Sequence, residues 1–257
     1  MKTKNSVNYD QIAGEYNQRF EVNNHKRSLE ALRAILSQEH PQRVSEVGCG
    51  TGYWLKGLRT ASPASFYGID LSMGMLNQSE RSDSILLSQA AAENLPFADE
   101  QYGLVYCVNA LHHFNNPVAF IEQSFRVLQP GGVIAIIGMD PHDKRNHWYV
   151  YDYFEGVLAR DLARFPDWQQ VETWLQSTGF EECFREDIEF IHDPKSKDTV
   201  LEDPFLKKNA CSQLALLEDD EYLRGFVSIQ QAIHSPQDIT FPDDILLSMQ
   251  TARKPYL

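Results

Sequence analysis

Three glycines at alternating positions in the segment VGCGTG, residues 47–52, constrain this chain more than any other feature. Glycine loses more backbone freedom on folding than any other residue, so this spacing indicates a tight turn or a close approach of the backbone to a ligand. The pattern predicts a short apolar strand at residues 44–47 and a helix at residues 53–59. A glycine-rich turn between the two directs the free N–H groups of the helix N-terminus at a polar or anionic group.

Strands and helices are predicted to alternate along the first half of the chain. The apolar segments predict strands at residues 44–47, 66–69, 85–88, 103–108 and 133–138, with later strands at 180–191 and 245–249. Helices are predicted at residues 9–36, 53–59, 117–128 and 167–178, and after Ser72, a predicted N-cap. This alternation is typical of an α/β fold with a parallel sheet and helices on both faces.

Two segments after residue 139 depart from this alternation. Residues 140–166 are rich in histidine and aromatic residues, and residues 193–240 are too long for a simple connection between two strands. We expect a single domain over residues 1–257, with a helical lid at residues 1–36 and these two segments as substrate-side insertions.

The charge balance restricts the partners of the protein. The net charge is −13 and no lysine and arginine cluster occurs, so neither nucleic acid nor a membrane surface is expected to bind. The sequence shows no apolar stretch of the length that spans a bilayer and no secretory signal, which favours the cytoplasm. The four cysteines form no CxxC pair, so we predict no metal site.

An acidic residue ends the second predicted strand. Asp70, in the segment YGIDLS, lies 22 residues after Gly48, where a carboxylate accepts hydrogen bonds from ribose hydroxyls in nucleotide-binding folds. The alternative is that Asp70 caps the following helix. Tyr53 occupies the third glycine position of G-x-G-x-x-G, which argues against a dinucleotide.

The order of six motifs resembles a known family. The segments EVGCGTG, YGIDLS, AAENLPF, VNALHHF, RVLQPGG and TARKP look like those of class I S-adenosylmethionine-dependent methyltransferases, and more closely the type 11, ubiquinone/menaquinone-methyltransferase-like group. The resemblance covers residues 9–139, 167–191 and 241–254. It implies a Rossmann-like, seven-stranded, mostly parallel sheet, with a helical insertion covering the C-terminal edge of the sheet.

The same resemblance implies S-adenosyl-L-methionine as cofactor, S-adenosyl-L-homocysteine as product, and a set of residues that hold the cofactor. Asp70 would bind both ribose hydroxyls, Leu71 would pack on the adenine, and Asn109 would lie beside the sulfonium. The complete set of expected cofactor residues is Tyr16, Gly48, Cys49, Gly50, Thr51, Gly52, Asp70, Leu71, Met75, Ala92, Glu93 and Asn109.

The sequence departs from the family pattern at two places. Ala91 stands where the family usually has Asp or Asn before the Ala-Glu pair, so one adenine hydrogen bond is lost or supplied by water. Tyr102-Gly103 replaces the usual Phe-Asp at the fourth strand, which indicates unusual local packing. Neither change removes the glycine turn or the ribose acid.

Methyl transfer from a sulfonium is an in-line displacement that depends mainly on alignment of donor and acceptor. A base is needed when the acceptor starts protonated, and His112 and His113, after the fourth strand, are the candidates. The alternative for each is packing or capping. For the acceptor, a small molecule, we expect contacts with Tyr9, His147, Trp148, Tyr149 and Tyr151; the three-residue spacing within 148–154 alternatively indicates a buried helix face.

Several functions remain open at this point. The alternatives are a catalytically silent S-adenosylmethionine-binding protein that acts as a sensor or partner subunit, an NAD-dependent oxidoreductase, aminopropyl transfer and arsenite methylation. The last needs a cluster of thiolates, which the sequence does not show. Neither the identity of the acceptor, nor the methylated element, nor the oligomeric state follows from the sequence.

Overall fold

The computed structural model describes residues 7–13, 25–79 and 84–256, and an eight-stranded sheet lies at the centre of this part of the chain. The strands are β1 (Arg43–Val47), β2 (Ser65–Asp70), β3 (Ile85–Gln89), β4 (Tyr102–Val108), β5 (Leu128–Met139), β6 (His147–Trp148), β7 (Glu181–His192) and β8 (Asp243–Arg253). Their order is β3-β2-β1-β4-β5-β8-β6, with β7 also paired to β8. The expected Rossmann-like, mostly parallel sheet is confirmed, with the two-residue β6 as an eighth strand.

The first five strands pair in parallel and bring their carboxyl ends to one edge of the sheet. β8 is antiparallel and lies between β5 and β7. Its residues Asp243 and Asp244 extend beyond β5 and pair with β6. β8 therefore continues past the carboxyl edge, where ligands bind in open α/β sheets.

Helices cover both faces of the sheet. They are α1 (Tyr9–Ile12), α2 (Lys26–Glu39), α3 (Tyr53–Arg59), α4 (Met73–Gln78), α5 (Pro117–Val127), α6 (Tyr149–Tyr153), α7 (Val157–Arg164), α8 (Trp168–Thr178), α9 (Ser212–Ala215) and α10 (Asp219–Ile233). The Ser72 hydroxyl accepts a hydrogen bond from the Met75 N–H and caps α4, as predicted.

Buried side chains of β4 alternate between the two faces, as the period of a strand requires. Val105 and Cys107 pack in the cluster that contains Phe120 of α5, whereas Leu104 belongs to the cluster that contains Leu55 of α3. Every residue of β4 is buried, which is typical of a parallel strand covered by helices on both sides.

The departure at Tyr102-Gly103 has a packing explanation. A Cβ at Gly103 would lie 2.8 Å from the Cβ of Pro41, just before β1. The Tyr102 ring packs against Phe97 and Tyr67, with centroids 4.6 and 5.4 Å away. A larger residue at position 103 would push Pro41 away from the sheet, so glycine is required there.

The two predicted insertions, residues 140–166 and 193–240, pack together in one apolar cluster next to the sheet. We call this cluster the cap. It combines Tyr149 and Phe154 from the first segment with Leu214 and Ile229 from the second. Its polar centre is Asp161 of α7, almost fully buried, which accepts hydrogen bonds from the Tyr151 hydroxyl at 2.8 Å and from Gln213 Nε2 at 3.0 Å. The cap is therefore held by both apolar and polar contacts.

Some element boundaries differ from those predicted. The helix expected at residues 9–36 is not continuous: α1 ends at Ile12 and α2 begins at Lys26, after His25 with a φ of +43°. The predicted insertion at residues 193–240 contains the two separate helices α9 and α10, because Glu218 starts a new helix through a reciprocal capping box with Glu221. β8 starts at Asp243, before the predicted residue 245.

Candidate functional site

The glycine turn has the backbone conformation that its sequence predicts. Gly48, Gly50 and Gly52 have φ values of +74°, +53° and +77°, a region that residues with a Cβ rarely adopt. The N–H groups of Gly48 and Cys49 both donate to the Ile69 carbonyl, at 2.7 and 3.0 Å. The turn is thus fixed to β2, and α3 begins directly after it.

Close contact with the next strand makes glycine necessary at position 48. A Cβ there would lie 2.6 Å from the Cβ of Ala110, just after β4. A Cβ at Gly52 would overlap the side-chain oxygen of Ser79. The turn therefore touches the residue that follows Asn109, which connects the two predicted parts of the site.

Asp70 ends β2 and organises the turn. Its Oδ2 accepts from the Gly50 N–H at 2.7 Å, and its Oδ1 accepts from the Ser72 N–H at 2.8 Å. Burial raises the pKa of Asp70, although these backbone hydrogen bonds act in the opposite direction. Each oxygen of an ionised carboxylate has two lone pairs, so Asp70 retains capacity for two further donors, such as a pair of hydroxyls.

The N-terminal helix α1 docks beside Asp70. The Asp10 carboxylate accepts from the Ser72 hydroxyl at 2.6 Å and from the Gly74 N–H at 2.8 Å. Met75 is buried against Ile12 and Ala13 of the N-terminal segment. The helix therefore covers the residues that follow Asp70.

The end of β4 carries both candidate bases. Asn109 adopts a φ of +50° and its N–H donates to the Ile137 carbonyl at 2.8 Å, after which residues Leu111–His113 form a 3₁₀ turn. His113 Nε2 and the Tyr9 hydroxyl are 2.7 Å apart in a hydrogen bond. The His112 ring stacks on Phe165, with centroids 3.8 Å apart and planes at 13°.

A cavity of about 130 Å³ opens at this point, between the sheet edge and the cap. Five predicted residues line it: Tyr9, Asn109, His112, His113 and Trp148. Its apolar wall comes from the ends of three strands: Met139, Ile191, Ile245 and Leu247. Its volume lies below the roughly 300–1,000 Å³ of pockets for drug-sized ligands, which indicates a small ligand.

Three residues predicted to contact the acceptor do not line this cavity. His147 is exposed, with Nε2 3.2 Å from Asp152 Oδ2. The Tyr149 hydroxyl donates to Asp203 and the Tyr151 hydroxyl donates to Asp161, both within the cap. We correct this part of the prediction: the two tyrosines stabilise the cap, because their buried hydroxyls need partners, and His147 faces solvent.

The remaining predicted cofactor residues lie around the glycine turn. Cys49 and Thr51 are buried, and Leu71 is 63% exposed. Ala92 is buried, and Glu93 Oε1 accepts from the Asn116 N–H at 3.0 Å. Met75 supports α1 rather than lining the cavity, and Tyr16 lies outside the described residues.

Sequence reasoning missed several cavity residues. They are His25, Phe165, Phe205, Cys211, Gln213 and Asp243. The segment FPDDILL, residues 241–247, offered a signal for Asp243, since two acidic residues precede an apolar strand that belongs to the sheet. The others come from the cap and from the start of α2, whose positions depend on tertiary packing.

Comparison with known proteins identifies the family. A family profile described as "Methyltransferase domain" matches residues 45–136. A phthiotriol/phenolphthiotriol dimycocerosates methyltransferase of Mycobacterium ulcerans is 34% identical over 42% of this chain, and the match covers 41% of that protein. An uncharacterised protein of Methanocaldococcus jannaschii is 34% identical, over 67% of this chain and 80% of its own length. The chain belongs to the type 11 group of class I S-adenosylmethionine-dependent methyltransferases.

A solved methyltransferase structure shares the fold. Phosphoethanolamine N-methyltransferase 2 of Haemonchus contortus, in complex with S-adenosyl-L-methionine, superposes with a TM-score of 0.54 and 18% identity, over 86% of this chain and 51% of that one. The chain spans about two fifths of the length of the mycobacterial relatives that it matches.

The residues present fit S-adenosylmethionine, the cofactor of this methyltransferase family. The glycine turn places backbone without a Cβ next to Asp70, whose Oδ2 accepts from the Gly50 N–H, and Asp70 retains acceptor capacity for two hydroxyls. Within residues 7–13, 25–79 and 84–256, no three His, Cys, Asp or Glu side chains come together as metal ligands; that no metal is required stays a prediction. None of the helices described for this methyltransferase is long and apolar enough to span a bilayer.

Proposed function

We propose that the protein transfers the methyl group of S-adenosylmethionine to a small-molecule acceptor held in the cavity at the sheet edge. One observation carries the proposal: Asn109 lines the cavity, and its neighbour Ala110 touches the glycine turn at Gly48. A cofactor held by the turn and an acceptor held in the cavity would therefore meet beside Asn109.

Bound S-adenosylmethionine supplies an electrophilic methyl group on a sulfonium. The glycine turn and Asp70 hold the methionine and ribose parts of this molecule, and α1 closes over the same region through Asp10. Such alignment converts a bimolecular reaction into a unimolecular one and supplies up to about 7–11 kcal/mol of the barrier. The cap excludes water from the other side.

His113 is the proposed base for an acceptor that starts protonated. Its imidazole lines the cavity and is hydrogen-bonded to Tyr9, which fixes the ring and connects it to a second group able to carry a proton. His112 is instead stacked on Phe165, so we assign it a positioning role.

Calorimetric titration with S-adenosylhomocysteine tests the cofactor part of the proposal. We expect binding to the wild-type protein and none of NAD. An Asp70→Ala variant should bind at least tenfold more weakly, because hydrogen bonds to a charged group contribute about 1.5–3 kcal/mol each. Asp99→Ala, which removes an exposed carboxylate paired with Arg126, is the matched control and should bind as the wild type does.

A second step separates an enzyme from a silent binding protein. Small acceptors are incubated with the protein and S-adenosylmethionine labelled in its methyl group, and labelled products are sought. Tight binding of S-adenosylhomocysteine with no labelled product from any acceptor would favour the silent alternative. Binding of NAD in place of S-adenosylhomocysteine would contradict the assignment of the cofactor.

A further inference from the structure

The carboxylate of Asp243 is buried at the cavity wall without a hydrogen bond. Its residue is only 9% exposed and it lines the cavity. No side chain or N–H of the described residues donates to it within hydrogen-bond distance. Buried polar groups in folded proteins are almost always hydrogen-bonded, and a buried carboxylate without a donor is costly. Asp243 therefore lacks a donor that the cavity has room to supply.

The nearest cation does not satisfy this carboxylate. Lys195 Nζ lies 3.8 Å from Asp243 Oδ2, and the same ammonium forms a closer ion pair with Asp193. Burial raises the pKa of Asp243 to about 7, and the charge of Asp203 adds to this effect. Asp203 Oδ2 already accepts a hydrogen bond from the Tyr149 hydroxyl at 2.7 Å. Asp243 is thus left with one long ion pair, to Lys195, and with a side that faces the cavity, where a further cation would be favourable.

An indole stands opposite Asp243 in the sheet. Trp148 pairs with Asp243 in the β6–β8 register, so their Cβ atoms are about 4.5–5.5 Å apart. Trp148 is buried and lines the same cavity. A carboxylate beside an aromatic ring combines an ion pair with a cation–π contact, and tryptophan is the strongest aromatic partner for a cation.

This pair lies away from the methyl donor. Met139, at the carboxyl end of β5, pairs with Leu247, and Asp243 is four residues further along β8. At about 3.4 Å per residue, these four residues of β8 span roughly 14 Å, so Asp243 lies beyond the carboxyl end of β5. The end of the cavity with Asp243 and Trp148 therefore differs in chemistry from the end with Asn109 and His113.

The rest of the wall disfavours an acidic ligand. Among the described residues, no lysine or arginine lines the cavity, and Asp243 is its only carboxylate. An anionic acceptor would therefore meet repulsion from Asp243, and only the imidazoles of His25, His112 and His113 could offset it.

We propose that Asp243 and Trp148 bind an ammonium group of the methyl acceptor, whose methyl-accepting atom lies at the other end of the molecule, near His113. This inference rests on the proposed function and names the substrate class of the same site. The acceptor is then a small, elongated amine. Its amino group provides recognition and is not the atom that receives the methyl group.

Binding of three matched ligand series tests the proposal. The ligands are phenols with an aminoalkyl chain of one to four carbons, the carboxylates of the same lengths, and the uncharged alkylphenols. Each is titrated into the protein saturated with S-adenosylhomocysteine. We expect at least one amine to bind at least tenfold more tightly than its carboxylate and alkyl counterparts.

The variants assign this preference to the two residues. Asp243→Asn and Trp148→Leu should lose at least tenfold in affinity for the amine, whereas Asp244→Asn, the neighbouring carboxylate that pairs with His192, should not. Unchanged binding of S-adenosylhomocysteine shows that each variant is folded. If no amine binds, if the carboxylates bind equally well, or if Asp243→Asn retains the preference, the inference is wrong while the proposed function stands. If S-adenosylhomocysteine itself does not bind to the wild type, both proposals fail.

Discussion

At the scale of single residues, the hydrogen bond between His113 and Tyr9 joins the sheet edge to the N-terminal helix. The two rings also meet edge to face, with centroids 5.1 Å apart. This hydrogen bond fixes the orientation of the imidazole, and a general base must lie within hydrogen-bond reach of the proton that it takes. His112, by contrast, has its ring face covered by Phe165.

We predict that His113→Ala lowers the rate of methyl transfer by about 10²–10⁴, the usual contribution of a general base, and leaves the affinity for S-adenosylhomocysteine unchanged. The measurement is transfer of a labelled methyl group to an acceptor found in the screen, beside calorimetry. His147→Ala is the matched control, because His147 is exposed and outside the cavity wall, and it should keep the wild-type rate. A wild-type rate in His113→Ala would exclude the base.

The sequence predicts the cavity residues near His113 better than those near Asp243. His113 and Asn109 follow a strand whose end is evident from its apolar pattern, so their place at the sheet edge could be inferred. The segment FPDDILL places Asp243 at the start of a strand, but its burial could not be inferred, because burial requires β8 to extend beyond β5 and the cap to fold over it. Tyr149 and Tyr151 look like binding residues in the sequence, but their hydroxyls donate to Asp203 and Asp161, which lie 54 and 10 residues further along the chain.

At the scale of elements, the docking of α1 on the start of α4 is the contact that couples the lid to the cofactor residues. One carboxylate, Asp10, accepts hydrogen bonds from the Ser72 side chain and from the Gly74 backbone. Its negative charge also lies at the N-terminus of α4, where the helix dipole favours it. The cofactor and the lid thus depend on neighbouring positions of the same loop.

We predict that Asp10→Ala weakens the binding of S-adenosylhomocysteine by about tenfold, since two hydrogen bonds to a charged group are lost from the lid. Asp10→Asn, which keeps an acceptor oxygen without the charge, should have a smaller effect. Calorimetry of the three proteins measures this order. Equal affinity in the wild type and Asp10→Ala would mean that α1 does not contribute to cofactor binding.

The type of each element, helix or strand, was easier to predict than the boundaries between consecutive elements. Strands β1 to β5 and helices α3, α5 and α8 follow from apolar periodicity and caps, because each buries a face against a neighbouring element. The boundary between α9 and α10 could not be predicted from the sequence, because residues 213–233 keep an amphipathic pattern across it. β6 has only two residues and forms because it pairs with β8.

At the scale of the whole molecule, one buried acid makes stability depend on pH. Glu46 on β1 is fully buried, and its Oε2 accepts a hydrogen bond from the Tyr106 hydroxyl at 3.0 Å. Burial raises the pKa of Glu46 well above its usual value of 4.5. The folded protein therefore keeps the proton on this carboxyl to a higher pH than the unfolded chain does.

We predict that the Glu46→Gln variant becomes more stable relative to the wild type as pH rises above about 4.5. In that range the unfolded state binds fewer protons than the folded state, so wild-type stability falls with pH by up to about 1.4 kcal/mol per unit until the folded carboxyl ionises. Glutamine does not titrate, so this decline is absent. Urea unfolding at pH 5, 6, 7 and 8 measures the difference.

The control for this prediction is Glu30→Gln on the exposed side of α2. It should keep the wild-type dependence on pH. Parallel stability curves for Glu46→Gln and the wild type would show that the Glu46 carboxyl ionises equally in both states.

The position of β8 also affects how the chain reaches this structure during synthesis. The ribosome synthesises β5 and β7 before β8, the strand that pairs with both. Ile137 of β5 therefore lacks its partner in β8 until Met249 has been made. Pairing between distant segments is slow, and an unpaired strand edge invites association with other chains. The glycine turn and β5 are therefore synthesised before β8, and the edge of β5 away from β4 has no strand to pair with until β8 follows. That strand also brings Asp243, so the acceptor site is completed only when the sheet is closed.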